Sequence, residues 1–270
     1  MSLPQNAIEL AAYLKRIGHC PEVEPSPAVL RSLHMAHAQA IPFENIEVLL
    51  GGVPRLDPAG LQLKLVEQRR GGYCFEQNSL LALMLEAIGF GVRRLSARVR
   101  WHGQHVLPRT HMLLLVSAGQ EQWLADVGFG AHGLLEPLPF REGAESRVGL
   151  WTTRLVREGE LWVLQIPEGG DWRDLYAFDL QEQQAVDMEL ANWYTATHPG
   201  SIFRKGLIAQ RVTPERRTHL RDRELSVEDA SGISGRSLRD EAEVRQVLEE
   251  IFGIQWPTGA TSTESDTAGT

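Results

Sequence analysis

Apolar residues recur at helical spacing through the first third of the chain, between residues that favour the ends of helices. Ser26-Pro27 and Asp57-Pro58 each combine a capping residue with a proline at the first helical position. Asn6 and Glu9 resemble a capping box, and the helix that follows them can end at Gly18. The pattern therefore predicts helices from the N-terminus to about residue 90.

From Val92 the apolar residues alternate with polar ones, which is the period of a half-buried strand. Further strand candidates follow at short intervals, at Met112–Val116, Gln122–Val127, Trp151–Val156, Leu161–Ile166 and Tyr176–Leu180. Successive short strands predict an antiparallel barrel or sandwich rather than alternating β-α units.

The last part of the chain is mixed. A connecting stretch follows Asn192, and a strand is predicted near Leu207–Val212. Ser237 can cap a final helix whose apolar stripe comprises Val244, Val247, Leu248, Ile251 and Phe252. Residues 258–270 are small, polar and acidic, and we expect a disordered tail there. Helices followed by strands and then a mixed segment indicate the α+β class.

Composition narrows the possible functions. The 270 residues carry a net charge of −8 and lack a long run of like charge, so nucleic-acid binding is not expected. No apolar run approaches the ~20 residues of a membrane span, and no signal peptide is visible, so we expect a cytoplasmic protein without membrane contact. Two cysteines cannot form a Cys-rich zinc site, and His102 and His105 lack further ligands nearby, so no metal is expected.

Cys74 has the most informative setting. It follows Gly71 and Gly72 and begins a predicted helix with apolar residues at i, i+3, i+4 and i+7, namely Leu81, Met84, Leu85 and Ile88. Unpaired backbone N–H groups at a helix start favour the thiolate, which is the nucleophilic form of cysteine. The alternative is a buried structural cysteine. Cys20, which follows a predicted helix end, has no such setting.

A nucleophilic cysteine needs a base, and the base needs an acceptor that orients it. If Ala118-Gly119 form a two-residue turn, or Ser117–Gln120 a four-residue loop, His111 lies directly opposite Asp126. Their Cβ atoms would then be about 4.5–5.5 Å apart. A loop of three or five residues would shift the register by one. The alternative is a structural His–Asp pair, but a cysteine in a reactive setting favours a catalytic triad.

These residues lie in segments that together resemble the arylamine N-acetyltransferase family, in its bacterial form: Ile41–Asn45, Arg70–Asn78, Thr110-His111, Asp126–Gly130 and His198–Phe203. The resemblance implies a papain-like Cys–His–Asp arrangement. It implies a helical domain over residues 1–90, an antiparallel β-barrel domain over 91–191, a connecting segment at 192–206 and an α/β lid over 207–257.

The resemblance also implies roles for individual residues. Cys74 matches the nucleophile that becomes acetylated, His111 the base and Asp126 the residue that orients it. Other matches are residues of the acceptor pocket and residues near the coenzyme, respectively Phe43, Phe129 and Phe203, and Thr110 and Gly130. Arg69 or Arg70 is expected to pair with Glu44. The implied donor is acetyl-coenzyme A, and the implied acceptors are aromatic amines or hydrazines.

Two alternatives remain at this stage. A cysteine hydrolase, peptidase or transglutaminase would use the same triad with a different acceptor. A non-catalytic binding module would keep the fold and a structural His–Asp pair, and its Cys74 would be inert towards iodoacetamide. The acetyltransferase hypothesis predicts ping-pong kinetics through an acetyl-cysteine.

Overall fold

The structure is a computed structural model that describes residues 9–20, 22–101, 103, 106–130 and 132–257. Asn6, His102, His105 and the predicted tail at 258–270 lie outside the described residues.

Helices dominate the first part of the chain, as predicted. Within the described ranges there are seven α-helices: α1 (Leu10–Ile17), α2 (Pro27–Ala40), α3 (Ile46–Leu49), α4 (Pro58–Leu61), α5 (Cys74–Ile88), α6 (Ala185–Thr197) and α7 (Glu241–Val247). Short turns of other helical types occur at Gln62–Glu67 and Leu248–Phe252, which are π-helical, and at Ile202–Arg204, which is 3₁₀.

The predicted helix ends are confirmed by their hydrogen bonds. The side chains of Ser26 and Asp57 cap α2 and α4 by accepting from backbone N–H groups of the first turn. Gly18 and Gly89 end α1 and α5 in the left-handed conformation that glycine adopts readily.

Strands form two antiparallel sheets in the part of the chain that the structure describes. Their bounds are β1 (Phe43–Glu44), β2 (Gly91–Val99), β3 (Arg109–Ala118), β4 (Glu121–Ala125), β5 (Leu138–Pro139), β6 (Ala144–Val148), β7 (Trp151–Glu158), β8 (Leu161–Glu168), β9 (Asp171–Phe178), β10 (Ile208–Val212), β11 (Arg216–Arg221), β12 (Glu224–Asp229) and β13 (Gly232–Ser237). Eight strands in the order β5-β4-β3-β2-β9-β8-β7-β6 form a nearly closed barrel, and five in the order β1-β10-β11-β12-β13 form the second sheet.

The predicted register of the β3–β4 hairpin is wrong by two residues. Ala118 pairs with Glu121 and Leu114 with Ala125, so the turn is Gly119-Gln120 rather than Ala118-Gly119. Gly119 has a φ of 65°, and glycine adopts this left-handed conformation without steric cost. His111 is therefore diagonal to Asp126 rather than opposite it. Because side chains alternate with a period of two, a shift of two residues leaves both on the same face.

Two further expectations need correction. Helix α6 crosses the predicted boundary at residues 191 and 192, where a connecting segment was expected. Its buried positions include Asn192 and Thr195, so an apolar stripe does not mark its inner face. The last helix is capped by Asp240, whose side chain accepts from the backbone N–H of Glu243, whereas Ser237 belongs to β13.

Helix α5 lies at the centre of the molecule and is buried along most of its length. It packs against β2 and β3 of the barrel and against α1 and α2. Its N-terminal end lies beside the N-terminal end of β3, since Sγ of Cys74 is 3.6 Å from the carbonyl oxygen of Thr110. Among the described residues, no helix combines the length and the apolar character that crossing a membrane requires.

The loop after β4 approaches α5 so closely that Gly128 has no room for a side chain. A Cβ atom there would lie 2.6 Å from the Cα atom of Cys74 and 2.6 Å from Nδ2 of Asn78. We therefore expect Gly128→Ala to lower the free energy of unfolding by about 1–3 kcal/mol, as overpacking does. Urea denaturation measures this change.

Gly91→Ala is the matched control, because its Cβ atom would meet Ser117 Cβ at an ordinary 3.5 Å. We expect a change within about 0.5 kcal/mol for this variant. Equal destabilisation by the two substitutions would contradict the packing argument.

Candidate active site

Cys74 is the first residue of α5, as the sequence predicted. The chain reaches it through Gly71 and Gly72, which lie against the segment that leads into β1. A Cβ atom on Gly71 would be 2.1 Å from the carbonyl oxygen of Pro42, so this approach requires glycine. Cys74 is 4% exposed, and its Sγ atom lies 3.6 Å from the carbonyl oxygen of Thr110.

His111 connects the thiol to a carboxylate. It lies on β3, and its Nε2 atom is 2.7 Å from Oδ2 of Asp126, which follows the last residue of β4. The Cys74 side chain also interacts with His111 and helps to raise its pKa. The fold thus brings the three predicted triad residues together in the order Cys74, His111, Asp126.

The charges in this group stabilise one another. Burial alone would lower the pKa of His111, but the Asp126 carboxylate, the hydrogen bond to it and the neighbouring Cys74 side chain raise it to about 10. Burial alone would raise the pKa of Asp126, but His111, Asn78 and the Gly128 N–H group lower it. The favoured state at neutral pH is therefore an imidazolium paired with a carboxylate.

Asn78 holds the carboxylate from the same helix that carries the thiol. Its Nδ2 group donates to Oδ1 of Asp126 at 2.9 Å and to the carbonyl oxygen of Met112 at 2.7 Å. Its Oδ1 atom accepts from the backbone N–H of Val127 at 3.0 Å. The sequence analysis assigned no role to Asn78, although its spacing of four residues from Cys74 places both on one side of α5.

His34 is a second residue that the sequence analysis missed. Its Nε2 atom accepts from the backbone N–H of Asp126 at 3.0 Å, and its Nδ1 atom lies 3.1 Å from the carbonyl oxygen of Leu135. Nδ1 therefore carries the proton of a neutral ring. Burial lowers the pKa of His34 to about 4, which agrees with this state. The sequence places His34 on the buried side of α2, but it does not reveal the partner.

The aromatic residues predicted for the acceptor pocket lie near the triad. The rings of Phe129 and His111 are nearly perpendicular, with ring centres 5.1 Å apart. Phe43 on β1 and Phe203 in the 3₁₀ turn have ring centres 6.0 Å apart, and Phe203 lies 5.5 Å from the ring of Tyr73. Tyr73 directly precedes the thiol, so these rings surround the start of α5.

The two residues predicted to lie near the coenzyme also border the site. Thr110 precedes His111, and its carbonyl oxygen faces the thiol. Gly130 has a φ of 89° and faces β10, where its Cβ atom would be 1.9 Å from Oε1 of Gln210. A cleft between the barrel and the second sheet is lined by Phe43, Asp126, Val127, Gly130 and Gln210, among others.

The expected ion pair near the site is formed by Arg70. Its Nη2 atom lies 2.7 Å from Oε1 of Glu44, and the carboxylate is buried. Oε2 of Glu44 accepts from the backbone N–H of Ile46 at 2.6 Å. In the described part of the chain, no group of three or more His, Cys, Asp or Glu side chains is arranged to hold a metal ion.

Comparison with known proteins identifies relatives along most of the chain. A family model described as N-acetyltransferase matches residues 27–260. The arylamine N-acetyltransferase of Mycobacterium tuberculosis is 39% identical over 254 residues, which cover 92% of this chain and 90% of the relative. A protein of Salmonella typhimurium named arylamine N-acetyltransferase / N-hydroxyarylamine O-acetyltransferase is 44% identical over 208 residues, covering 76% of this chain and 74% of that protein.

Solved structures agree with this. The arylamine N-acetyltransferase of M. smegmatis matches with a TM-score of 0.88 at 37% identity, over 92% of this chain and 93% of that chain. The Mycobacterium marinum enzyme in complex with CoA matches with a TM-score of 0.87 at 37% identity, over 91% and 93%. From its sequence and its fold, the chain belongs to the arylamine N-acetyltransferase family.

Proposed function

We propose that the protein transfers an acetyl group from acetyl-coenzyme A to an aromatic amine or hydrazine, through a thioester on Cys74. One observation carries the proposal. The buried thiol at the start of α5 lies beside a histidine that a buried carboxylate favours in its protonated form. Family membership supports the choice of donor and acceptor, since relatives are named arylamine N-acetyltransferases and one was solved with CoA.

In the first step, the Cys74 thiolate attacks the carbonyl carbon of the acetyl thioester. The bond from that carbon to the coenzyme sulfur breaks, and the leaving sulfur takes the proton of His111. Backbone N–H groups of the first turn of α5 are suited to stabilise the oxyanion. The products are free coenzyme A, acetyl-Cys74 and a neutral imidazole.

In the second step, the amine nitrogen attacks the acetyl-cysteine. His111 takes the proton that the nitrogen loses, and Cys74 leaves as the thiolate. The imidazolium–thiolate pair is thereby restored for the next cycle. An aromatic amine is weakly basic, so it is neutral and nucleophilic at neutral pH.

The remaining residues act in binding. Phe43, Phe129 and Phe203 form the apolar pocket for the acceptor ring, and Thr110 and Gly130 border the path of the coenzyme. In this scheme residues 1–90 supply the nucleophile, the barrel between residues 91 and 178 supplies the base and its partner, and 207–257 form a lid. A cytoplasmic location fits a catalytic thiol, which stays reduced there.

Intact mass spectrometry tests the covalent step. Mixing the protein with acetyl-coenzyme A should add one acetyl group, and an aromatic amine should then remove it. Cys74→Ala should gain none, whereas Cys20→Ser should behave like the parent because Cys20 is exposed and lies apart from the triad. If the parent protein gains no acetyl group at the earliest quenched time, acetyl-coenzyme A is not the donor. Peptide and ester substrates would then be tested.

Asp126→Asn tests the charge of His111. Without the carboxylate, burial dominates and the pKa of His111 falls below its ordinary value, so the imidazolium is lost at neutral pH. In a Cys20→Ser background, we expect iodoacetamide to alkylate Cys74 at least roughly tenfold more slowly at neutral pH than in the parent. In the parent, His111 should lose its proton only as the pH rises through about 10.

Asp179→Asn is the control, since Asp179 pairs with Arg109 near the start of β3 but is partly exposed. It should leave the alkylation rate unchanged. If Asp126→Asn is alkylated as fast as the parent, Asp126 does not maintain the imidazolium.

Phe203→Ala tests the acceptor pocket, because ping-pong kinetics separate the two half-reactions. Loss of the ring should lower kcat/KM for an aromatic amine by roughly ten- to a hundredfold, as expected for a lost aromatic contact. Acetylation of Cys74 by the donor should change by less than about threefold. Hydrazine itself, which has no ring, serves as the matched acceptor and should show little change. An equal loss with both acceptors would argue against a pocket at Phe203.

A further inference from the structure

Lys64 places a buried positive charge next to the first turn of α5. It lies in the π-helical turn at Gln62–Glu67 and is 9% exposed. Its Nζ atom is 2.6 Å from Oε1 of Glu76 and 2.6 Å from Oε2 of Glu47. Glu76 is 1% exposed and is the third residue of α5, two positions after Cys74.

The other oxygen of Glu76 holds the backbone directly before the thiol. Oε2 accepts from the N–H group of Tyr73 at 3.2 Å, as in a capping box, and Tyr73 is the residue before Cys74. Gly72 packs closely against the same carboxylate: a Cβ atom on residue 72 would be only 2.7 Å from Oε2 of Glu76. A single carboxylate therefore joins Lys64 to the peptide that fixes where Cys74 begins the helix.

The surroundings of Glu76 make this carboxylate depend on its cation. Glu44 and Glu47 add negative charge nearby, and Arg70 is paired with Glu44. Burial and the two carboxylates raise the pKa of Glu76 to about 7, even though Lys64 lowers it. Burial alone would lower the pKa of Lys64, but the three carboxylates raise it, so the ammonium stays charged.

We propose that Lys64 is a positioning residue for the reaction: its ammonium holds the Glu76 carboxylate in place, and that carboxylate fixes the Tyr73 backbone and hence the Cys74 thiol. The proposal rests on the proposed function, in which Cys74 is the nucleophile. It concerns Lys64 and Glu76 as a pair, because a neutral side chain at residue 76 would need no cation. Glutamine at that position can still accept the Tyr73 N–H group.

The test compares Lys64→Met, Glu76→Gln and the double variant Lys64→Met/Glu76→Gln, all in a Cys20→Ser background. The measurements are the rate at which iodoacetamide alkylates Cys74 and kcat for acetyl transfer, each from about pH 6 to 9.5, the range that spans the ordinary thiol pKa. Lys64→Met leaves Glu76 without its cation, so the ionised carboxylate is repelled by Glu44 and Glu47 and no longer holds the Tyr73 N–H group in place. We expect both rates to fall roughly tenfold at the upper end of this pH range, where Glu76 is ionised.

The double variant should recover to within about threefold of the parent, because neither charge remains. The pH dependence provides the readout that a purely structural role would not move. The ratio of the Lys64→Met rate to the double-variant rate should fall with pH, because protonated Glu76 accepts the Tyr73 N–H group as glutamine does, whereas ionised Glu76 without its cation is repelled by Glu44 and Glu47. Glu76→Gln alone should show no such fall, since it has no carboxylate to titrate.

Arg94→Met is the matched control. Arg94 pairs with Glu86 at 2.6 Å, near the other end of the same helix, and this pair is partly exposed. Its loss should leave both rates unchanged.

A parental rate for Lys64→Met, or a double variant as impaired as the single one, would overturn the proposal. If Lys64→Met does not fold, recovery of folding and alkylation in the double variant supports the proposal, and failure of both variants overturns it. Because alkylation needs no acetyl donor, a parent that is never acetylated would refute the proposed function and leave this comparison intact.

Discussion

The buried carboxylate of Asp126 is the constraint on which the rest of the site depends. An unpaired charge in the interior is costly, so its hydrogen-bonding capacity must be met by fixed groups. These groups come from separate parts of the chain: His111 from β3, Asn78 from α5 and the Gly128 N–H group from its own loop. His34 of α2 holds the backbone of the same residue. The hydrogen bonds to this one residue thus fix the barrel against two helices.

The pairing also determines the chemistry that the site can support. Because Asp126 raises the pKa of His111 against the effect of burial, the imidazole is charged where an isolated buried histidine would be neutral. His34 is the internal comparison: it is equally buried but contacts only backbone groups, and its pKa falls to about 4. Two histidines of one core therefore differ in charge because only one meets a carboxylate through its side chain.

The sequence predicts the parts of this arrangement that local rules govern. The caps at Ser26 and Asp57 and the helix start at Cys74 follow from residue preferences within a few positions. The hairpin was predicted two residues out of register, yet His111 and Asp126 keep a common face because the side-chain period is two. The contacts of His34 and the course of α6 could not be predicted, since His34 binds residues about a hundred positions away and α6 buries polar side chains.

Helix α5 explains how distant residues can be positioned together. Its first residue carries the thiol, Glu76 in its first turn faces Lys64, and Asn78 one turn after Cys74 faces Asp126. A helix is a rigid spacer with a rise of about 1.5 Å per residue, so these contacts fix both its rotation and its position along the axis. If α5 shifted along its axis, the contacts at Glu76 and Asn78 would be strained together. Charges and hydrogen bonds on both sides of one helix therefore act together on the position of the thiol relative to His111.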